Sequence, residues 1–352
     1  MPGVLEWFVP TLYRPPGKEV LMHYVGVDLH KRFLVACAED ERGAHTASGR
    51  FDCQDQEEIL RFFEKLVPFR AVIEASCSYR WFHDAVAPLG EVVLAHPLQL
   101  RAIVAGRAKT DKLDAALLAR LLRAGLIPEA YIPPPEYREL RDIARARSRL
   151  SRQGTTAVNE LHALLCRRNI RLPFSNLSSM SSRRWVAGLE LGTVDGFLRD
   201  ELIRRLAHYH EEVSKLDALL HEMAARFPQV EALTVLHGIG LYSALLIVGE
   251  IGEPSRFADG RQVGAYAGLT ARVSQSGEHA YYGHISHQGS PWLRWILVEA
   301  AMKLVFKDRQ LGNFYQRVRK RSGAKIARVA AARKLAVICW KRLMHWQRQQ
   351  AA

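Results

Sequence analysis

The chain has no CxxC pair. Its five cysteines, Cys37, Cys53, Cys77, Cys166 and Cys339, are scattered. That pattern argues against a thiolate zinc site and a disulfide framework, and it suits a reducing cytoplasm. Long apolar runs are also missing. None approaches the roughly 18–20 residues of a membrane span, so no membrane partner is expected. The opening MPGVLEWFVPTLYRPPGKEV lacks a basic-then-apolar signal pattern, and residues 1–22 read as a loose extension. There is no internal repeat, and no low-complexity segment beyond the short serine-rich stretch FSNLSSMSSRR. Acid is scarce near the C-terminus: from Lys303 to Arg348 there are 14 Lys/Arg and one carboxylate, Asp308.

That imbalance nearly accounts for the whole net charge of +14. A field of this sign attracts polyanions, nucleic acid before others. A solvated basic face serving solubility is the plainer alternative. Arg328 and Arg333 are the central candidates for contact in this segment.

With 352 residues, the chain can form two or three domains. Residues 24–52 alternate as three short strands with tight links, an antiparallel meander. DQEEILRFFEKL has helical apolar spacing, with Asp55 as N-cap. RAVIEAS reads as a buried strand, 79–89 as a helix, EVVLAH as a strand and 110–124 as a helix. The order is three strands, helix, strand, helix, strand, helix: an α/β domain over 23–130. A proline cluster at 132–135 marks its end. A helix over about 136–168 follows, rich in arginine; its Arg145 and Arg152, with Lys109 and Lys112 before it, are candidate nucleic-acid contacts. A second long helix covers about 195–226. Its apolar positions, Leu198, Leu202, Leu206, Tyr209, Val213, Leu216, Leu220 and Met223, follow a coiled-coil seam. The seam either closes an antiparallel hairpin with the arginine helix or joins two protomers. Residues 131–228 form this helical region. Residues 229–352 form a mostly helical, glycine-punctuated domain with a basic tail.

Four carboxylates stand out. Asp28 ends the first strand and Glu74 ends a later strand of the same sheet, where α/β sheets build their sites. Asp111 and Asp114 share a helix face at i and i+3, beside Lys109 and Lys112. Helix capping explains the last two if they are taken alone. Four carboxylates at one edge repel each other unless cations occupy them, and hard oxygen ligands suit Mg²⁺. Two such ions would activate a nucleophile and stabilise the leaving oxygen of a phosphodiester. In this strand order the four acids make a ribonuclease H-like pattern.

A second unusual region is GLTARVSQSGEHAYYGHISHQGSPWLRW, 268–295. Ser274 and Ser276 flank Gln275, and Gly277 follows, where a tight turn can expose a hydroxyl. Tyr282, His287 and Arg294 mix aromatics with cations, which suits stacking on splayed bases; core packing is the alternative. Upstream, His237-Gly238-Ile239-Gly240 between apolar segments reads as a helix-hairpin-helix. Gly238 and Gly240 would offer backbone N–H groups to a phosphate, or simply join two packed helices.

Taken together, these motifs resemble the DEDD transposases of bacterial insertion sequences, the group that includes the pilin-gene invertase and the bridge-RNA-guided recombinases. GVDLHK, VIEAS and KTDKLDA correspond to the family's acid motifs, carried by Asp28, Glu74, Asp111 and Asp114. AYAGLTARVSQSG and GHISHQGSPWLR are similar to its second-domain motifs, and Ser276 falls at the serine nucleophile. His287 and Ser290 depart from the residues expected there, and Ser274 leaves the nucleophile open by two positions. The resemblance implies a RuvC-like domain, a coiled-coil region and a serine-bearing domain. It also implies a bacterial cytoplasmic enzyme, Mg²⁺, donor and target DNA, and a noncoding bridge RNA. The working unit would be a homo-oligomer, a dimer or tetramer. Ser276 would form a 5′-phosphoserine link that a partner 3′-OH resolves. Two other readings stand beside this one: a RuvC-like junction nuclease using water, and a non-catalytic nucleic-acid-binding protein.

Overall fold

The computed structural model describes residues 21–104, 111–177, 179–276 and 279–351, without the side chains of 111–113, 273–276, 279, 280 and 282. The chain divides into two compact units, Met1–Ile132 and Pro133–Ala352.

The first unit is a mixed sheet with helices. Its elements are β1 (His23–Leu29), β2 (Phe33–Glu39), β3 (His45–Asp52), α1 (Gln56–Glu64), β4 (Phe69–Glu74), α2 (Tyr79–Val86), β5 (Glu91–Ala95), α3 (Pro97–Val104), α4 (Asp111–Arg123) and β6 (Glu129–Ala130). The order across the sheet is β3-β2-β1-β4-β5-β6. β1, β2 and β3 pair antiparallel, while β4 and β5 run parallel to β1. The expected sequence of elements is therefore present, with α3 and the two-residue β6 added. Local chemistry sets the turns. Asp40 accepts hydrogen bonds from the Arg42 and Ala44 amides, and Gly43 takes a positive φ, which folds β2 back onto β3. Asp55 caps α1 by accepting from the Glu58 amide at 2.9 Å. Phe51, Phe63, Phe69 and Phe82 fill one face of the sheet against α1 and α2. On the other face, Val72 and Val93 pack against Leu118, Leu121 and Leu122 of α4.

The second unit contains α5 (Pro135–Arg167), α6 (Met180–Ala187), α7 (Thr193–Met223), α8 (Glu231–Thr234), α9 (Leu241–Ile251), α10 (Gly260–Tyr266), β7 (Ala271–Ser276), β8 (His279–Ile285), α11 (Pro291–Leu304), α12 (Arg309–Ser322) and α13 (Ala324–Gln350). α5 and α7 pack antiparallel within one chain. Arg147 pairs with Asp217 at 2.9 Å, Arg205 lies 4.0 Å from Glu160, and Arg168 pairs with Asp195. Of the two arrangements the seam allowed, the intramolecular hairpin is the one observed. Leu202, Leu206, Leu220 and Met223 are buried along it, while Leu198 is exposed. The serine-rich stretch holds more than a loop: Ser179 caps α6 by accepting from the Ser182 amide. Farther on, Ala244–Ile251 of α9 is buried on all sides, the mark of a central core helix, and α11 and α13 join the same core. The domain is helical as expected, except that the serine-bearing stretch forms an antiparallel hairpin, β7–β8. No described helix is long and apolar enough to cross a membrane.

Candidate functional site

The first unit places its acids by backbone register. β1 and β4 are parallel, with Gly26 opposite Val72 and Val27 opposite Ile73. One step further, Asp28 and Glu74 fall on the same face of adjacent strands at the same end. Asp28 is partly covered, and its Oδ2 lies 3.1 Å from Nε2 of His30. Glu74 is exposed.

α4 brings the third acid to this edge. A Cβ at Gly26 would sit 2.0 Å from the Ala115 carbonyl oxygen and 2.5 Å from the Ala119 nitrogen, so the helix lies directly on the bare strand backbone. The helix direction is fixed at its other end, where Arg120 donates to Glu39 at 3.1 Å. Glu39 faces Tyr24 at the start of β1. α4 therefore runs antiparallel to β1, and its first turn, with half-buried Asp114, reaches the Asp28 end. Asp111 is the first residue of α4. Its side chain and that of Lys112 lie outside the described residues, as does all of Lys109. Among the described residues no group of three acids, histidines or cysteines is close enough to hold an ion. The donor types at the edge are carboxylates, which suit a hard divalent cation. Gly26 and His30 were not singled out in the sequence. The D-x-H spacing in GVDLHK was the available sign of the second.

In the second unit, β7 ends on Ser276, which pairs with His279 at the start of β8, and Ser274 pairs with Tyr281. The side chains of Ser274, Ser276 and Tyr282 lie outside the described residues. The hairpin's other end is fastened tightly. Gly289 has φ 107° and meets the Tyr266 carbonyl so closely that a Cβ would lie 2.1 Å from it. His287 also takes a positive φ, 54°. Ser290 Oγ donates to the wholly buried Glu250 at 2.8 Å and accepts from the Leu293 amide, capping α11. Arg145 grips the same carboxylate through two bonds of 2.6 and 2.9 Å. Arg141 donates to the carbonyls of Gly249 and Glu250.

Several residues read in the sequence as nucleic-acid contacts therefore have internal partners. Arg145 directs its fork at Glu250. Burial works against its charge, but the carboxylate outweighs that and raises its pKa. Arg294 donates to the carbonyls of Ala267 and His287, and burial lowers its pKa. Arg152 lies over Trp292 at 4.5 Å and near Trp295 at 5.5 Å. Gly238 has φ 88°, and a Cβ there would lie 2.6 Å from the Lys303 Cβ. The segment before it is one helical turn, Glu231–Thr234, rather than a full helix. Gly240 caps α9 with open space around it. None of Glu250, Arg141 or Ser290 carried a local sequence sign of this cluster. Their partners are dozens of residues away.

α13 supplies a different surface. A groove of about 700 Å³ runs between it and the base of the β7–β8 hairpin. His287 and Arg333 line it, joined by Arg261, Lys325 and Lys334, and among the described residues no carboxylate does. Arg328 is exposed on the same helix.

Comparison with known families gives two matches. Residues 25–169 match the DEDD transposase family model of IS110 type, and residues 230–316 match the transposase model of the IS116/IS110/IS902 family. A probable family 20 transposase of Pseudomonas aeruginosa is 27% identical over 328 residues, covering 90% of this chain and 95% of the relative. The transposase for insertion sequence element IS1328 of Yersinia enterocolitica is 24% identical, over 90% of this chain and 95% of the relative. The transposase for insertion sequence element IS1111A of Coxiella burnetii is 25% identical, over 90% and 88%.

Proposed function

This chain belongs, by both of its domains, to the IS110/IS116 transposases of insertion sequences, and we propose that it cuts and rejoins DNA through a serine-linked intermediate assisted by Mg²⁺. The observation that carries the reading is the placement of carboxylates in the first unit. Asp28 and Glu74 end neighbouring parallel strands, and α4, which starts at Asp111 and carries Asp114 in its first turn, begins at the same end of the sheet. Gathering negative charge where a polyanion must bind is unfavourable unless cations are part of the chemistry. The strand order β3-β2-β1-β4-β5 supports a RuvC-like classification of residues 23–130. Residues 131–228, with the α5–α7 hairpin, act as the coiled-coil region, and 229–352 as the serine-bearing domain.

Asp28, Glu74, Asp111 and Asp114 would hold the metal, one ion or two. When bound, it polarises the scissile phosphate and stabilises the departing oxygen. Ser276 Oγ attacks phosphorus, and the bond to the 3′-oxygen breaks. The strand's 5′-phosphate is now esterified to Ser276, and the proton leaves on the freed 3′-OH. A partner strand's 3′-OH then attacks the phosphoserine, restoring a phosphodiester and returning the proton to Ser276. Phosphodiester bonds are conserved, so no external energy source is needed. Ser274, at the same end of β7, is the alternative nucleophile. Donor and target DNA are the substrates. A noncoding bridge RNA from the same element would supply sequence choice by pairing, while the protein reads backbone and shape. A dimer or tetramer would be the working unit. The Gly238–Gly240 turn, with Gly240 open at the start of α9, is a candidate phosphate contact.

Adduct trapping tests this reading. Purified protein is incubated with Mg²⁺, the element's flanking RNA and a suicide DNA carrying the junction, then run on a denaturing gel. The expected result is a protein–DNA band that disappears with Ser276→Ala and with Asp111→Asn. Cleaved DNA without an adduct would establish the water-using nuclease instead. Full activity of Asp111→Asn and Asp114→Asn would return both residues to helix capping.

A further inference from the structure

The groove beside α13 combines two properties that a double helix cannot satisfy together. Its rim is cationic: Arg261, Lys325, Arg333 and Lys334 line it, with no carboxylate among the described lining residues. Among the described residues none of these four is ion-paired to an acid. Lys334 instead holds its ammonium 4.0 Å from the centroid of Phe314. The floor, by contrast, is apolar. α13 turns one stripe toward the groove, Ile326, Val329, Ala330 and Val337, and Leu269 and Ile285 face it from the hairpin side. The stripe follows helical spacing, so it is one continuous face. Ile326 is 57% exposed at its edge.

A duplex presents sugar and phosphate to a protein and shows its bases only at their edges, with their faces stacked inside. It could satisfy the rim but would leave the floor facing water. An unpaired base offers an apolar face of its own, and the phosphates flanking it remain charged. The volume of about 700 Å³ lies inside the range of roughly 300–1,000 Å³ typical of small-ligand sites. We infer that this groove captures one unpaired nucleotide, with its base on the Ile326–Val329 floor and its flanking phosphates on Lys325, Arg333 and Lys334. The inference rests on the reading of the chain as a nucleic-acid recombinase and adds the form in which this face takes its ligand: an extrahelical nucleotide in a bulge, loop or melted junction, in place of an intact helix. Phe314, with the Lys334 ammonium over its ring, bounds the groove on the α12 side.

The test is equilibrium binding of the full chain, carrying Ser276→Ala and without divalent cation, to three probes. These are an uninterrupted DNA duplex, the same duplex with one bulged nucleotide, and the same bulge made abasic. The bulged probe should bind about tenfold more tightly, the worth of one buried base, and the abasic bulge should lose that gain. Ile326→Ser changes no charge at an exposed position. It should erase the preference while leaving duplex affinity and the thermal midpoint unchanged. Lys325→Ala with Arg333→Ala should weaken all three probes and flatten their salt dependence. A 2-aminopurine placed at the bulge should change its emission with the parent protein and not with Ile326→Ser. Equal binding of duplex and bulge, or a preference that survives Ile326→Ser, would overturn the inference. Because no cleavage is read, this outcome is separate from the adduct test. An adduct without bulge preference removes only the nucleotide site, and bulge preference without an adduct removes only the serine chemistry.

Discussion

The acid edge and the serine hairpin are built on opposite plans. At the acid edge the sheet itself does the placing: two parallel strands in register put Asp28 and Glu74 side by side, and α4 lies on Gly26 with no side chain between. The hairpin is two short strands, β7 and β8. The segment that follows it is tied down at Ser290 by a buried carboxylate, Glu250, that joins α5, α9 and the start of α11 through Arg145 and Ser290. One site is held by backbone geometry and the other by a polar network. The first should fail when the backbone is pushed, and the second when a charge loses its partner.

The largest expected effect is Gly26→Val. The added carbons collide with the α4 backbone, so the helix and its aspartates must shift. A displacement of about 1 Å at a reacting centre costs on the order of 100-fold, and DNA cleavage should fall at least that far. Circular dichroism should still report folded protein. Retention of full cleavage would mean α4 is not what sets the acid geometry. Next is Glu250→Ala, which strands Arg145 in a partly buried site and removes the Ser290 acceptor. Its expected cost is about 3–5 kcal/mol, read from the denaturant midpoint. Strand exchange should fall with it, although Glu250 is wholly buried and cannot touch DNA. A smaller loss, about 1–2 kcal/mol, is expected for Ser290→Ala, which gives up a helix cap and one donor to the carboxylate. Arg152→Ala should cost about 1 kcal/mol through its lost stacking on Trp292. That variant also separates two roles: a packing residue leaves the salt slope of DNA binding unchanged, whereas a phosphate contact lowers it by nearly one unit.

The comparison also explains what was legible in the sequence. Register follows from local pattern, so YVGVD and RAVIE announced strands ending in acids, and Asp55 announced its helix. The α5–α7 helices were readable from their apolar period, though only the structure chose the intrachain pairing. The β7–β8 hairpin escaped notice because ARVSQS has few apolar residues at alternate positions and is polar where strands are usually recognised. Arg145 and Arg294 looked like DNA contacts because a surplus of arginine gives no local sign of which side chains are committed internally. Glu250, deep within LYSALLIVGEI, had no visible partner, since the groups that satisfy it come from Arg145 and Ser290, 105 and 40 residues away. Polar networks of this range are invisible to any short window.

The α5–α7 pair has a mechanical side. Its root is clamped into the core by Arg141 and Arg145, and its far end carries a separate small core around Leu161, Leu177 and Val186. From Arg145 to the end of α5 the rod extends about 33 Å at 1.5 Å per residue. It is a cantilever whose span can be altered without disturbing its mounting. Inserting a heptad into each arm would carry the distal core outward by about 10 Å while keeping the same seam. Reach, in this protein, is a dimension that evolution or an engineer can set independently of the chemistry at the root.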